Sequence, residues 1–197
     1  MPDYFVAYKP FNVLSQFTSK EDKQTLKKFF TVPEDVYPVG RLDYDSEGLL
    51  LLTNDKQLNY RLLHPSFAHE REYWVQVEGD INESAIQNLE SGVTISIDGK
   101  GYQTKTCKAG KFSASPILPK RDPPIRFRKN IPTSWIWIKL HEGKNRQVRK
   151  MTAQVGFPTL RLVRYRIERI TIDKLKPGEM IAMDRESIYG KLFEKKM

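Results

Sequence analysis

The apolar residues of this 197-residue chain occur in short runs of strand length, separated by polar turns. Runs of about four to eight apolar or β-branched residues between turn residues are typical of strands. Strands are predicted at residues 4–8, 36–39, 49–53, 72–78, 93–97, 104–109, 134–140 and, as one or two strands, 160–172. Helical periodicity and start signals predict helices at residues 25–30, 54–63, 82–89 and 146–155. The pattern indicates an α+β fold built on a mixed sheet.

Basic residues outnumber acidic ones, 33 to 24, which gives a net charge of +9. Such an excess favours a polyanionic partner through phosphate contacts, although a charge spread over the whole surface would serve solubility alone. Cys107 is the only cysteine, so no intramolecular disulfide can form. No signal-like leader and no apolar run of about 18 residues is found, and a cytoplasmic protein without a membrane segment is expected.

Residues 111–132 differ from the rest of the chain because they contain five prolines among several basic residues. This composition predicts an extended loop, which we call the basic loop. Within it, Arg126 and Arg128 flank Phe127, and cations interleaved with an aromatic ring are typical of RNA-binding segments. A solvated loop without a partner would have the same composition.

Residues 40–48 (GRLDYDSEG), called the acidic loop, separate two predicted strands. The alternation of Asp43, Asp45 and Glu47 resembles the start of a calcium-binding loop, but the twelfth position counted from Asp43 is Asn54 and not a glutamate. A polar surface turn is the simplest alternative. The flanking apolar residues nevertheless indicate that Asp43 is half-buried, and such a carboxylate needs a cationic partner or a reaction.

Residues 142–151 (EGKNRQVRKM) form a second group of candidate site residues. Arg146 and Arg149 lie three positions apart and share one helix face, from which they could bind phosphate or carboxylate. A solvated basic face is the alternative. The histidines have no zinc-site spacing, so no metal site is predicted; they are His64, His69 and His141.

Residues 40–55 (GRLDYDSEGLLLLTND) resemble the catalytic signature of the pseudouridine synthase family related to the small-subunit enzyme A and the large-subunit enzymes B, E and F of bacteria. Lys9-Pro10, residues 71–73 (REY) and residues 142–151 resemble further motifs of this family, in the same order and spacing. Arg71 departs from the pattern, which usually has lysine there. Residues 122–136 (DPPIRFRKNIPTSWI) are most similar to the large-subunit group E. The resemblance covers nearly the whole chain.

The resemblance implies one catalytic domain over residues 1–197, with a mostly antiparallel sheet and flanking helices. Many members carry a small RNA-binding domain ahead of the catalytic part, and the early position of the signature predicts that this chain lacks one. The implied activity converts a specific uridine of ribosomal RNA, expected in 23S RNA of the large subunit or its precursor, to pseudouridine. The implied enzyme needs no cofactor, flips its target nucleotide into a cleft, and is expected to be a monomer.

The resemblance also implies roles for individual residues. The family's catalytic aspartate falls on Asp43, its active-site arginine on Arg149 and its base-stacking tyrosine on Tyr73. Its apolar wall beside the uracil falls on Leu160 or Leu162. Cations expected to bind RNA are Lys9, Arg41, Arg71, Arg126, Arg128, Lys144 and Arg146. Trp74 is predicted to point away from Tyr73, since adjacent strand residues face opposite sides.

Two other functions remain open at this point. A non-catalytic factor for ribosomal RNA binding or ribosome assembly would use the same cations but would have no use for Asp43. A hydrolase of glycosidic bonds would pair Asp43 with Asp45 or Glu47 and would need both carboxylates.

Overall fold

The computed structural model describes residues 2–126 and 128–194. Contacts divide the chain into two compact units. Unit 1 consists of Met1–His69 and Arg164–Met197, and unit 2 of Glu70–Val163. Each unit has its own strands, helices and buried apolar cluster.

Strands joined by helices and turns make up the described residues, in agreement with the predicted α+β fold. The strands are β1 (Tyr4–Lys9), β2 (Tyr37–Pro38), β3 (Glu47–Thr53), β4 (Arg71–Glu78), β5 (Thr94–Ile97), β6 (Lys100–Gln103), β7 (Lys108–Lys111), β8 (Thr133–Leu140), β9 (Thr159–Ile167), β10 (Ile170–Thr171) and β11 (Met180–Ala182). The α-helices are α1 (Lys56–Leu63), α2 (Glu83–Ser91), α3 (Gln147–Gln154) and α4 (Arg185–Phe193). None of these helices is long and apolar enough to cross a membrane.

In unit 1, β1 lies antiparallel between β3 and β11. The pairing of β1 with β3 runs from Tyr4 opposite Thr53 to Lys9 opposite Gly48. All of β3 is buried, which explains why its apolar run is unbroken instead of alternating. This register places the end of β1 beside the point where the acidic loop enters β3.

Asp55 connects three elements of unit 1. Its Oδ1 accepts hydrogen bonds from the backbone N–H groups of Gln57 (2.9 Å) and Leu58 (3.1 Å), which caps α1. Its Oδ2 accepts from the hydroxyls of Tyr4 in β1 (2.7 Å) and Tyr189 in α4 (2.8 Å). Burial raises the pKa of Asp55, but the hydrogen bonds lower it by more, so the pKa lies below its ordinary value.

In unit 2, β8 lies antiparallel between β4 and β7. Val75 and Val77 of β4 are buried with Leu89 of α2 and Met151 of α3 in one apolar cluster. Gln76 alternates with the two valines and therefore lies on the other face of the strand. The hairpin of β5 and β6 completes the unit.

The strand predicted at residues 104–109 begins later than predicted, since only Lys108 and Ala109 of these residues lie in a strand. β6 ends at Gln103 and β7 begins at Lys108. Between them, Thr104 bonds to Val93 through its backbone N–H (3.0 Å) and also accepts the Val93 N–H on its hydroxyl (2.9 Å). The side-chain bond replaces a regular ladder bond at this point, and the strand does not continue.

Other differences concern short or weakly patterned elements. The helix predicted at residues 25–30 is a 3-10 turn of three residues, Leu26–Lys28. β11 and α4 were not predicted. In α4 only Ile188 and Leu192 are buried, so the helix has too short an apolar stripe to be recognised from its periodicity.

Replacing Asp55 should destabilise the protein. Asp55→Ala removes the cap of α1 and the acceptor of two tyrosine hydroxyls, and a loss of about 3 kcal/mol in the free energy of unfolding is expected. Because the folded pKa of Asp55 is depressed, its contribution is present above the ordinary pKa of 3.8 and is lost as the pH falls through the folded value. Urea unfolding at neutral and acid pH measures both effects.

Asp98→Asn is the control for this experiment, since Asp98 is exposed in the β5–β6 turn. It should keep the stability of the parent. Equal stability of Asp55→Ala and the parent at neutral pH would contradict the assigned network.

Candidate active site

The acidic loop joins β2 to β3 and is anchored by Leu42. The Leu42 side chain is buried, and its backbone is held on both sides by Ser15. The Ser15 hydroxyl donates to the Leu42 carbonyl (2.8 Å) and accepts from the Leu42 N–H (3.0 Å). Asp43 follows this anchor, is partly exposed, and its carbonyl accepts from the Ser46 N–H (3.0 Å) in a turn. The carboxylate that the sequence singled out is therefore carried by a fixed backbone.

Lys9 holds the acidic loop from the end of β1. It is fully buried, and its Nζ donates to the carbonyls of Pro10 (2.9 Å), Val13 (2.7 Å) and Tyr44 (3.4 Å). A buried ammonium that serves three carbonyls is not presented to solvent. The RNA contact predicted for Lys9 does not fit this burial, and the structure gives the residue a positioning role instead.

The negative charges of the acidic loop offset part of the cost of burying the charge of Lys9. Burial lowers the pKa of Lys9 to about 7, while the negative charges of Glu47, Asp45 and Asp43 raise it and the nearby Arg164 lowers it. Glu47 is itself buried. The alternating acidic residues thus surround a lysine of this chain.

Gly48 closes the acidic loop where it enters β3. Its φ is +107°, and a Cβ at this position would lie 2.4 Å from the Arg164 carbonyl oxygen. Arg164 also donates from Nε to the Leu49 carbonyl (2.8 Å). Only glycine permits this close approach of two backbones.

Arg41 is the exposed member of the acidic loop. Its Nη2 lies 3.5 Å from Oε1 of Gln16, and its exposure leaves it accessible to RNA. Unit 1 therefore brings together three of the predicted site residues: Lys9, Arg41 and Asp43.

Tyr73 lies near the start of β4 in unit 2, two residues after Arg71. It packs against the apolar cluster that contains Leu162. Trp74 lies on the other face, as predicted, where its Nε1 donates to Glu72 (2.9 Å) and its ring meets Phe112 edge to face. Of the two leucines proposed as the uracil wall, Leu162 shares a cluster with Tyr73.

The start of α3 is fixed by a network that the sequence did not indicate. Glu142 accepts from the Tyr102 hydroxyl (2.6 Å), the Lys105 N–H (3.0 Å) and the Gln147 side-chain amide (2.6 Å). Buried Gln147 in turn accepts from the Lys144 N–H (2.9 Å). The sequence does not reveal these roles, because Glu and Gln are usually exposed.

This network sets the backbone that carries the predicted cations of unit 2. Arg146 immediately precedes α3 in a left-handed conformation, with φ +55°. Arg149 lies one turn later and is partly buried, whereas Lys144 and Arg146 are exposed. Lys144 also lies over the Tyr102 ring, 4.9 Å from its centre. The segment that leads into α3 and the first turn of the helix thus carry three basic side chains.

The predicted cations of the basic loop lie elsewhere in unit 2. Arg126 and Arg128 line a cavity together with Leu160, and Arg128 forms an ion pair with Glu78 (2.7 Å). Phe127 lies outside the described residues. Leu160 is therefore associated with the basic loop, not with the cluster that contains Tyr73.

In residues 2–126 and 128–194, no three histidine, cysteine, aspartate or glutamate side chains form a group that could hold a metal ion. His69 pairs with Glu168 (3.0 Å) and His141 with Glu70 (3.6 Å). Cys107 donates to the Leu89 carbonyl, and burial raises its pKa to about 12. Its thiol is therefore a poor nucleophile.

Burial of Lys9 predicts a dependence of stability on pH. Between pH 7 and its ordinary pKa of 10.5, the unfolded chain retains a proton that folded Lys9 releases, so the free energy of unfolding rises with pH. In urea unfolding, the stability of the parent relative to Lys9→Met should increase as the pH rises from 7 to about 10. The exposed Lys20→Met is the control and should follow the parent, whereas parallel profiles of the parent and Lys9→Met would refute the prediction.

Comparisons with known proteins agree with these motifs. Residues 3–154 match the family described as RNA pseudouridylate synthase. The chain is 47% identical over 171 residues to ribosomal large subunit pseudouridine synthase E of Vibrio parahaemolyticus, covering 87% of this chain and 69% of the relative. It is 46% identical over 182 residues to the protein of the same name from Xanthomonas campestris, covering 91% and 95%.

A solved structure described as a crystal structure of pseudouridylate synthase has the same fold. The two superpose with a TM-score of 0.77 at 25% identity, over 95% of this chain and 73% of the other. The family match, the curated relatives and the fold are in agreement, and the chain belongs to the RNA pseudouridine synthase family.

Proposed function

We propose that this chain converts one specific uridine of large-subunit ribosomal RNA, or of its precursor, to pseudouridine. Two relatives with 46–47% identity carry the name of large-subunit enzyme E, and the net charge of +9 suits an RNA substrate. The observation that carries the proposal is the acidic loop, in which buried Leu42 and Lys9 fix the backbone around a partly exposed Asp43. We further propose that the chain acts as a monomer in the cytoplasm.

The proposed reaction is balanced without a further reactant. The bond from C1′ to N1 of uracil breaks, the base turns, and a bond from C1′ to C5 forms. The proton on C5 leaves, and N1 gains one. Asp43 serves either as the nucleophile at C1′ or as the proton acceptor during formation of a glycal-like intermediate. Both routes need an ionised carboxylate held at a fixed distance from the sugar.

Arg149 is the proposed cation for that carboxylate. It is partly buried on α3, and a partly desolvated guanidinium stabilises a carboxylate more strongly than an exposed one does. The network of Glu142 and Gln147 supports this role because it fixes the backbone from which Arg149 extends.

Tyr73 is proposed to stack on the flipped uracil, with Leu162 as an apolar neighbour. Both belong to one cluster in unit 2, and a tyrosine offers a flat face for the base and a hydroxyl for a late proton transfer. Stacking offsets part of the cost of removing the nucleotide from its helix, on the order of a few kcal/mol.

Six cations, all exposed except the partly buried Arg71, are proposed to bind the phosphates that flank the target. They are Arg41, Arg71, Arg126, Arg128, Lys144 and Arg146. Phosphate contacts fix the register of RNA on the protein but carry little sequence information. Binding should therefore weaken as the salt concentration rises.

The first test is release of tritium from RNA labelled at C5 of uridine, since C5 loses its hydrogen when it bonds to C1′. The parent should release tritium from large-subunit RNA. Asp43→Asn should lower the rate by roughly 10²–10⁴-fold or more, because it removes the reacting carboxylate. Asp45→Asn is the matched control and should retain most of the activity.

Each alternative function predicts a different result. A binding or assembly factor would bind the RNA without releasing tritium. A hydrolase that uses two carboxylates would free uracil and would lose activity in Asp45→Asn as well as in Asp43→Asn.

A second test concerns the positioning of α3. Gln147→Leu removes the hydrogen bonds to Glu142 and Lys144 and should lower kcat/KM by roughly 10- to 100-fold, because small displacements of catalytic groups are costly. Gln154→Leu, at the exposed last position of the same helix, is the control and should match the parent. Unchanged kcat/KM in folded Gln147→Leu would show that α3 needs no such support.

A further inference from the structure

A cavity of about 590 Å³ lies in unit 2 beside the basic loop. Pockets of roughly 300–1,000 Å³ are of the size that holds a small ligand or one building block of a larger one. Arg126 and Arg128, proposed above to bind phosphate, lie in its wall, but that proposal assigns no role to the interior of the cavity.

The cavity wall combines three kinds of side chain. The apolar members are Ile125, Ile131, Pro132 and Leu160. The uncharged polar members are Gln76, Asn130 and Thr133. The charged members are Arg126, Arg128, Lys129 and Glu78. Three cations against one carboxylate favour an anionic ligand, and the apolar side chains provide surface for a flat, partly apolar group.

Gln76 is fixed in the wall by its neighbour across the sheet. Its Nε2 donates to Oγ1 of Thr133 at 3.0 Å, so the amide is held between β4 and β8. The amide still has an acceptor oxygen and a second N–H, and the hydroxyl still has a donor. Such groups match the donors and acceptors on the edge of an unpaired base.

The rim of the cavity is formed by the ion pair of Arg128 and Glu78. The Nη1–Oε2 distance is 2.7 Å, and the side chains are 51% and 28% exposed. An ion pair this exposed contributes little net stability. Arg128 can therefore exchange Glu78 for a phosphate, while the neighbouring exposed Arg126 and Lys129 attract the backbone of the same RNA.

We propose that this cavity binds one unpaired base of the RNA substrate at a nucleotide other than the isomerised uridine, and thereby selects the sequence. This inference rests on the proposed function, because RNA is its ligand. Gln76 and Tyr73 lie on opposite faces of β4, since Tyr73 packs with Val75 and Val77 in the apolar cluster. The two side chains therefore cannot hold the same base.

The experiment uses short ribosomal RNA fragments that contain the target uridine and one abasic nucleotide, placed in turn at each flanking position. The dissociation constant of each fragment shows what each base contributes. For the parent, one flanking position should weaken binding roughly 10-fold when its base is removed. For Gln76→Ala, the penalty at that position should fall below about threefold, because the base is no longer held.

Gln103→Ala is the matched control. Gln103 also pairs with a threonine across two strands, since the Thr94 hydroxyl donates to its Oε1 at 2.7 Å, but it does not line the cavity. This variant should reproduce the profile of the parent. Thr133→Val is a second test variant in case Gln76→Ala fails to fold, and it should lower the same penalty.

Two results would overturn the inference. One is a parent profile in which no flanking base contributes, and the other is an unchanged penalty in the folded variants of Gln76 and Thr133. Pseudouridine formation by the parent is measured on the intact fragment in parallel. An isomerised fragment with a flat profile refutes the base pocket alone, whereas a fragment that is bound without isomerisation refutes the proposed function.

Discussion

The candidate site of unit 1 depends on the contacts that the buried amino group of Lys9 makes with backbone carbonyls. This amino group joins the end of β1 to the carbonyl of Tyr44 in the acidic loop. At the far end of the loop, the backbone of Arg164 comes so close to Gly48 that no side chain would fit. Asp43 lies between Leu42, which Ser15 holds, and Tyr44, whose carbonyl Lys9 holds. A carboxylate that must act on one atom of a sugar needs such a rigid support.

In unit 2, a fixed backbone limits the positions of the candidate cations. Long basic side chains are flexible, and the backbone of α3 limits where they can reach. Glu142 and Gln147 fix the first turn of this helix through buried or partly buried hydrogen bonds. In both units, the candidate side chains for the proposed isomerisation extend from a backbone that hydrogen bonds hold in place.

The sequence predicted elements with strong patterns and missed roles that depend on packing. The unbroken apolar run of β3 and the alternation of β4 identified both strands, since these patterns follow directly from burial on two faces or one. The burial of Lys9 was not predicted, because lysine is usually exposed and its partners are backbone carbonyls. The role of Gln147 was missed for the same reason. The cavity beside the basic loop depends on a loop conformation that composition does not specify.

We propose that this chain isomerises one uridine and that Asp43 performs the reaction. The most direct measurement is to map pseudouridines along large-subunit ribosomal RNA after incubation with the parent or with Asp43→Asn. We expect a new pseudouridine at a single position with the parent and none with Asp43→Asn, although both bind the RNA. The same new pseudouridine with both proteins, or none with either, would contradict this proposal.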